Sequence, residues 1–100
     1  MKKLMLLISA LSLTTLALTV NAYSGKKLAK TAKVTIVEAR VIALKAHSGK
    51  IVDEELEKEA GGSGLRYSFD IRKDKVTQEV GVDAQTGKLL ENKPEGAHPD

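Results

Sequence analysis

The clearest indication of the fold is the segment Leu65-Arg66-Tyr67-Ser68-Phe69-Asp70-Ile71-Arg72, in which apolar and polar residues alternate throughout. A strict period of two is typical of a β-strand with one face buried and the other in solvent. The predicted core face consists of Leu65, Tyr67, Phe69 and Ile71. The opposite, polar face presents Arg66, Ser68, Asp70 and Arg72.

Two further strand-like segments flank this stretch, Ile51 to Ala60 before it and Val76 to Asp83 after it. The connections are Gly61-Gly62-Ser63-Gly64 and Lys73-Asp74-Lys75, both of which have the composition of turns. Short connections join antiparallel neighbours. The sequence therefore predicts a three-stranded antiparallel meander.

The register of this meander follows from aligning like faces. We expect Ala60 to lie opposite Leu65, and Ile71 to lie opposite Val76. These pairings keep one face of the sheet continuously apolar and the other continuously polar. One helix is enough to cover the apolar face.

A helix is predicted to begin at Thr35, where Thr35-Ile36-Val37-Glu38 has the form of a capping box, and to end near Gly49. Its core stripe at helical spacing comprises Ile36, Ala39, Ile42, Ala43 and Ala46. A second apolar group on another side comprises Val37, Val41 and Leu44. The predicted fold is thus α+β, with one N-terminal helix packed on a three-stranded antiparallel β-meander.

The second apolar group is more than one sheet face can bury together with the core stripe. Two alternatives remain open. Either other parts of the chain cover Val37, Val41 and Leu44, or these side chains contact another molecule.

Acidic residues occupy alternate positions on the first predicted strand, at Asp53, Glu55, Glu57 and Glu59. Such a row can bind calcium or a basic partner. It can also form solvated ion pairs with Arg66 and Arg72 on the neighbouring strand, and we favour these ion pairs as the simpler interpretation.

The N-terminus has the pattern of a secretory signal peptide. Lys2 and Lys3 precede an uncharged apolar run from Leu4 to Val20, and Val20-Asn21-Ala22 places small residues at the positions that signal peptidase requires. We expect cleavage after Ala22 and a periplasmic or secreted product. The alternative is an uncleaved membrane anchor, since the run approaches the ~20 residues that cross a bilayer.

The rest of the chain divides into three predicted parts. Residues 23–33 form a flexible basic lead-in, residues 34–91 the domain, and residues 92–100 a flexible tail with both prolines. Without Lys2 and Lys3 the chain is nearly neutral, so its charge does not indicate nucleic-acid binding. A membrane is expected to be involved only through the signal peptide.

Catalytic chemistry is not indicated by the residue types present. The sequence contains no cysteine, and its two histidines are isolated. His47 lies at the predicted helix end, where it suits a capping role. His98 in the tail has two carboxylates nearby and can hold a divalent metal only weakly. We therefore predict no catalytic residue, no cofactor and no metal site.

The chain resembles PepSY domains over about residues 34 to 91. The matching segments are Glu38 to Ala46, Ser48 to Val52, Leu56 to Glu59, Leu65 to Ile71 and, most specifically, Glu79-Val80-Gly81-Val82-Asp83-Ala84-Gln85-Thr86-Gly87-Lys88-Leu89-Leu90. These domains are associated with propeptides of thermolysin-type metalloproteases. No His-Glu-x-x-His motif is present, so any regulation of a peptidase is expected to act in trans.

The resemblance implies a non-catalytic module that binds a protein of the cell envelope, such as a peptidase or a sensor. A sheet edge or the polar sheet face is the expected binding surface. The candidate partner-binding residues are Val37, Val41, Leu44, Arg66, Ser68, Asp70 and Arg72. The alternative function is a small-ligand or metal-responsive accessory protein of the periplasm, and dimerisation is open.

Overall fold

The computed structural model describes residues 23–96, which form a short 3₁₀ helix, one α-helix and four β-strands. The 3₁₀ helix spans Lys26–Thr31 and α1 spans Ile36–Ala46, followed by β1 Lys50–Lys58, β2 Leu65–Lys73, β3 Val76–Asp83 and β4 Leu89–Pro94. The strands form one antiparallel sheet in the order β1-β2-β3-β4. The predicted α+β architecture is confirmed, but the sheet has four strands instead of three.

Helix α1 begins at the predicted capping box. The Glu38 amide donates to Oγ1 of Thr35 at 3.1 Å, and the Thr35 amide donates to Oε1 of Glu38 at 2.9 Å. A cap of this kind contributes about 1 kcal/mol to stability. The helix ends at Ala46, and the His47 amide donates to the Ala43 carbonyl.

The core lies between α1 and one face of the sheet. The predicted alternation of β2 is correct, since Tyr67, Phe69 and Ile71 are all almost completely buried. Small side chains at Ala39 and Ala43 let the helix approach the sheet closely. The buried apolar residues are Ile36, Ala39, Ala43, Leu56, Leu65, Tyr67, Phe69, Ile71, Val80, Val82 and Ala84.

The predicted register between β2 and β3 is wrong by two residues. Lys73 lies opposite Val76, and Ile71 lies opposite Gln78. The reason is a two-residue turn, in which Asp74 adopts a left-handed conformation with φ 59°. A shift of two residues preserves the alternation, so the buried face is nevertheless the predicted one.

The register between β1 and β2 also differs by two residues from the prediction. Lys58, and not Ala60, lies opposite Leu65. The intervening loop is held by Asp83, whose carboxylate accepts hydrogen bonds from the amide and the hydroxyl of Ser63. This anchoring gives the loop a geometry that local turn composition did not indicate.

Strand β4 occupies residues that the sequence assigned to the domain end and to a flexible tail. Glu91 lies opposite Gly81, and the ladder continues to Pro94 opposite Gln78. The Glu95 amide still donates to the Thr77 carbonyl at 2.8 Å. The predicted tail from residue 92 therefore begins inside the sheet, and proline is acceptable there because β4 is an edge strand.

The lead-in of residues 23–33 is structured, contrary to the expectation of a flexible segment. It contains the 3₁₀ helix, and Ser24 forms an isolated parallel bridge with β1. Amides of Lys33 and Val34 both donate to the Ala84 carbonyl. The lead-in is therefore packed onto the domain along its length. The predicted signal peptide, residues 1–22, lies outside the described residues.

Candidate functional site

The solvent face of the sheet is dominated by carboxylates, and we call it the acidic face. Alternation places every second residue of each strand on this side. It forms a shallow depression next to Ser68, and the acidic residues that line it are Asp53, Glu55, Glu57, Glu59, Asp70, Glu79 and Glu91.

Cations compensate only part of this charge. Arg66 lies 3.2 Å from Glu91 and 3.9 Å from Glu59, and Lys93 lies 3.3 Å from Glu91. Among residues 23–96, no ion pair within 4 Å reaches Asp53, Glu55, Glu57, Asp70, Glu79 or Glu95. The acidic face therefore keeps an excess of negative charge.

The predicted ion pair of Arg72 is absent from the described part of the chain, and the register explains why. Arg72 lies opposite Lys50 and is exposed, while Asp53 lies opposite Asp70. The two-residue shift thus places two carboxylates across from each other. A further irregularity in β1, between Ile51 and Asp53, brings Lys50 opposite Arg72, so this cation lies outside the acidic row. Ion pairing, which we favoured from the sequence, accounts for Arg66 but not for Arg72.

Mutual repulsion and burial raise several pKa values on this face. The Glu57 carboxylate is the largest cause of the raised pKa of Glu55, followed by burial and Asp53. Burial is the largest cause of the raised pKa values of Asp70 and Glu79, and neighbouring carboxylates raise them further. Ionisation of Glu55, Asp70 and Glu79 is therefore less favourable than that of isolated carboxyl groups, and a bound cationic group would favour it.

Two carboxylates of the acidic face converge with a third, Glu95, which directly follows β4. Asp70, Glu79 and Glu95 each offer an oxygen within 4.8 Å of the others, and all three are partly buried. Oxygen donors of this type suit hard cations. None of these three was considered as a metal ligand from the sequence, and His98, which was, lies outside the described residues.

The predicted polar-face residues occupy different settings. Ser68 and Asp70 line the depression, and the Ser68 hydroxyl donates to Glu57 at 2.6 Å. Arg66 is only 7% exposed and lies at one end of the face, where it also donates to the Ala60 carbonyl. Arg72 lies away from the depression, so the strand carries one buried and one exposed arginine.

The second apolar group of α1 is partly open to solvent. Val37 is 46% exposed and Val41 is 52% exposed, whereas Leu44 is half-buried against the core. Two of the three side chains are therefore available for contact. Their proposed contact with another molecule stays a prediction.

Sequence reasoning missed two features of the sheet. Glu91 joins the acidic face because β3 and β4 pair, and β4 was not predicted. Glu95, directly after β4, comes close to Asp70 and Glu79 for the same reason. Glu54 lies on the helix side, where its carboxylate accepts from Nε of Arg40 and, at 2.9 Å, from Nη2. Glu54 lies two residues before Leu56 in β1, and this spacing was the feature of the sequence that could have placed its side chain on the helix side of the sheet.

Taken together, the fold and the face define a small α+β domain with an acidic, solvent-exposed sheet surface. No helix within residues 23–96 has the length and apolar character needed to cross a membrane. The single histidine of the described region, His47, lies at the helix end and not on the acidic face.

Comparison with known proteins gives the family. The model of the PepSY family, described as peptidase propeptide and YPEB domain, matches residues 33–93. The chain therefore belongs to the PepSY family. No curated protein and no solved structure shows significant similarity to it.

Proposed function

We propose that this chain is a non-catalytic protein-binding module of the cell envelope, whose acidic face binds a basic surface of an envelope peptidase and regulates that peptidase in trans. The excess of carboxylates over cations on one sheet face is the observation that carries the proposal. The family's association with peptidase propeptides supports the choice of partner.

Export is part of this proposal. The apolar run after Lys2 and Lys3 and the small residues before Tyr23 support a signal peptide cleaved after Ala22. The product is then periplasmic or secreted. Intact-mass measurement on protein from the envelope fraction tests this step, because retention of residues 1–22 would contradict it.

Electrostatic docking accounts for how such a module recognises its partner. Opposite charge on two surfaces accelerates association and excludes acidic competitors. The carboxylates that repel one another in the free domain are stabilised when a lysine or arginine lies between them. Binding should therefore weaken as salt is added.

The test compares two variants that each remove one negative charge. Glu79→Gln removes it from the acidic face, and Asp74→Asn removes it from the β2–β3 turn, where asparagine tolerates the left-handed backbone. Immobilised proteins are exposed to envelope extract, and the bound peptidase is identified and assayed for inhibition.

We expect Glu79→Gln to lose capture and inhibition, and Asp74→Asn to keep both. Equal capture by the two variants would overturn the role of the acidic face. The alternative, a metal-responsive accessory protein, is assessed in the same series by adding excess calcium, since Asp70, Glu79 and Glu95 converge. Calcium-dependent stabilisation that Glu79→Gln abolishes would favour it.

A further inference from the structure

The outer edge of β1 carries a segment of the chain's own lead-in. The Ser24 amide donates to the Glu54 carbonyl at 3.3 Å, and the Leu56 amide donates to the Ser24 carbonyl at 2.8 Å. The bridge is parallel, unlike the rest of the sheet. It has the geometry of strand addition, a common mode of peptide recognition.

Side chains and backbone on either side hold this segment in place. The Tyr23 ring meets the buried Tyr67 edge-to-face, with 6.4 Å between ring centroids. Gly25 has φ 83°, and a Cβ at this position would overlap the carbonyl oxygen of Leu56. Only glycine allows the chain to turn away from β1 at this close approach.

The segment and the edge differ in charge. Ser24 is followed by lysines without any intervening acid, at Lys26, Lys27, Lys30 and Lys33. Strand β1 carries Asp53, Glu54, Glu55 and Glu57. Because the family match starts at residue 33, the paired segment lies outside it. The paired residues Tyr23–Gly25 carry no charged side chain, and the lysines follow them directly. The basic lead-in is thus an addition to the matched domain, and its first residues occupy the acidic edge.

A second copy of the chain is a poor occupant of this edge. Antiparallel pairing of two β1 strands through their centres would bring Asp53, Glu55 and Glu57 of one copy near the same residues of the other. Like charges opposite each other destabilise a sheet. A basic extended segment avoids this repulsion, and a groove lined by Ser24, Ile51 and Val52 leaves room beside the edge.

We propose that the β1 edge is a docking site for an extended basic segment of a partner polypeptide, and that Tyr23–Gly25 occupies it in cis until the partner displaces them. The proposal rests on the binding function proposed above and names a second surface for it. The lead-in then acts as an internal competitor. A competitor tethered by a short linker has an effective concentration of about millimolar, so it suppresses weak ligands.

The probe is a fluorescent peptide of residues 23–33, and the protein is the chain from residue 23 onward. Gly25→Val releases the cis segment without removing it, because valine cannot occupy this position. Gly96→Val is the matched control, since a Cβ there meets nothing within 4 Å. Fluorescence anisotropy measures peptide binding to each protein, and thermal melting shows that each is folded.

We expect the peptide to bind Gly25→Val at least about tenfold more tightly than wild type or Gly96→Val, because the competitor has been released. A peptide with proline in place of Ser24 should not bind, since it lacks the N–H that donates to Glu54. Equal binding of the serine and proline peptides, or no difference between Gly25→Val and wild type, would overturn the proposal.

Amide exchange at Leu56 provides a readout that needs no peptide. Its N–H should exchange faster in Gly25→Val and be protected again by the bound peptide, while amides that point to β2 change little. Should Gly25→Val fail to fold, Ser24→Pro in the full protein takes its place. If the Leu56 amide exchanged as slowly in Gly25→Val or Ser24→Pro as in wild type, Tyr23–Gly25 would not be the segment that protects the β1 edge, and the proposal would be contradicted. Loss of edge binding with retained capture through the acidic face would leave the proposed function intact.

Discussion

The carboxylate of Asp83 and the hydroxyl of Ser63 meet at 2.7 Å, joining the end of β3 to the loop between β1 and β2. The same carboxylate accepts from the amides of Ser63, Gln85 and Thr86. Asp83 is only 1% exposed. Burial alone would raise its pKa, but these hydrogen bonds outweigh it and lower the pKa to about 2.

Replacement of Asp83 should therefore be strongly destabilising. Asp83→Ala leaves several buried donors without an acceptor, and hydrogen bonds to charged groups contribute about 1.5 to 3 kcal/mol each. Ser63→Ala removes only one of them and should cost no more than about 1.5 to 3 kcal/mol. Urea unfolding of both variants measures the difference. A loss for Asp83→Ala no larger than that for Ser63→Ala would show that the carboxylate does not organise the two turns.

Stability should rise when the solution is acidified from neutral pH. Glu55, Asp70 and Glu79 have raised pKa values, so the folded state binds their protons more tightly than the unfolded state does. The destabilisation is complete above the raised pKa values and disappears below the ordinary values of 4.5 for Glu and 3.8 for Asp.

Further acidification should have the opposite effect. The lowered pKa of Asp83 contributes stability above 3.8, and this is lost as the pH falls toward about 2. The melting temperature should thus pass through a maximum in mildly acidic solution, and Glu79→Gln should reduce the rise toward it. A steady decrease from neutral pH downward would contradict the assigned repulsion.

Substitutions at neighbouring residues of β2 should differ in their effect on stability, because consecutive side chains lie on opposite faces of the sheet. Phe69 is 1% exposed, and Phe69→Ala should cost about 3 to 5 kcal/mol, enough to unfold most small domains. Ser68 is on the acidic face, and Ser68→Ala loses only its bond to Glu57. Thermal melting of both proteins checks this. Similar shifts for the two variants would mean that the faces have been assigned wrongly.

Neighbouring glutamates of β1 should also respond differently. Glu54 forms the partly buried ion pair with Arg40, and removing one member of such a pair costs about 3 to 5 kcal/mol. Glu55→Gln instead relieves repulsion from Glu57 and Asp53 and should be neutral or stabilising. Chemical denaturation of Glu54→Gln and Glu55→Gln provides the comparison, and equal destabilisation would place both on one face.

Local patterns predicted the elements and faces but not the register. Period-two alternation identified the buried side of β2, and the Thr35–Glu38 capping box identified the helix start. A shift of two residues leaves every side chain on its face, so hydrophobic pattern cannot detect it. The left-handed backbone of Asp74 and the contact of Ser63 with Asp83 decide the register.

The sequence predicted the β1 part of the acidic face but not the β4 part, because tertiary pairing decides whether β4 forms. Its β1 carboxylates follow from alternation, but the β4 contribution does not. Leu89-Leu90-Glu91-Asn92-Lys93-Pro94 is short, charged and ends in proline, so nothing local distinguishes it from a tail. Pairing with β3, a tertiary contact, makes it a strand.

Val41 lies on the exposed flank of α1. Its 52% exposure means that aspartate at this position buries no charge, so Val41→Asp should change the free energy of unfolding by less than about 1 kcal/mol. Leu44, on the same flank, packs against the core, and Leu44→Asp should destabilise strongly because it places a charge there.

If Val37 and Val41 contact a partner or a second copy, Val41→Asp should lose that association while keeping its melting temperature. Sedimentation with and without the captured partner, together with thermal melting, measures both. A folded Val41→Asp variant that associates as wild type does would exclude the flank as an interface, and an unfolded variant would show that the flank belongs to the core.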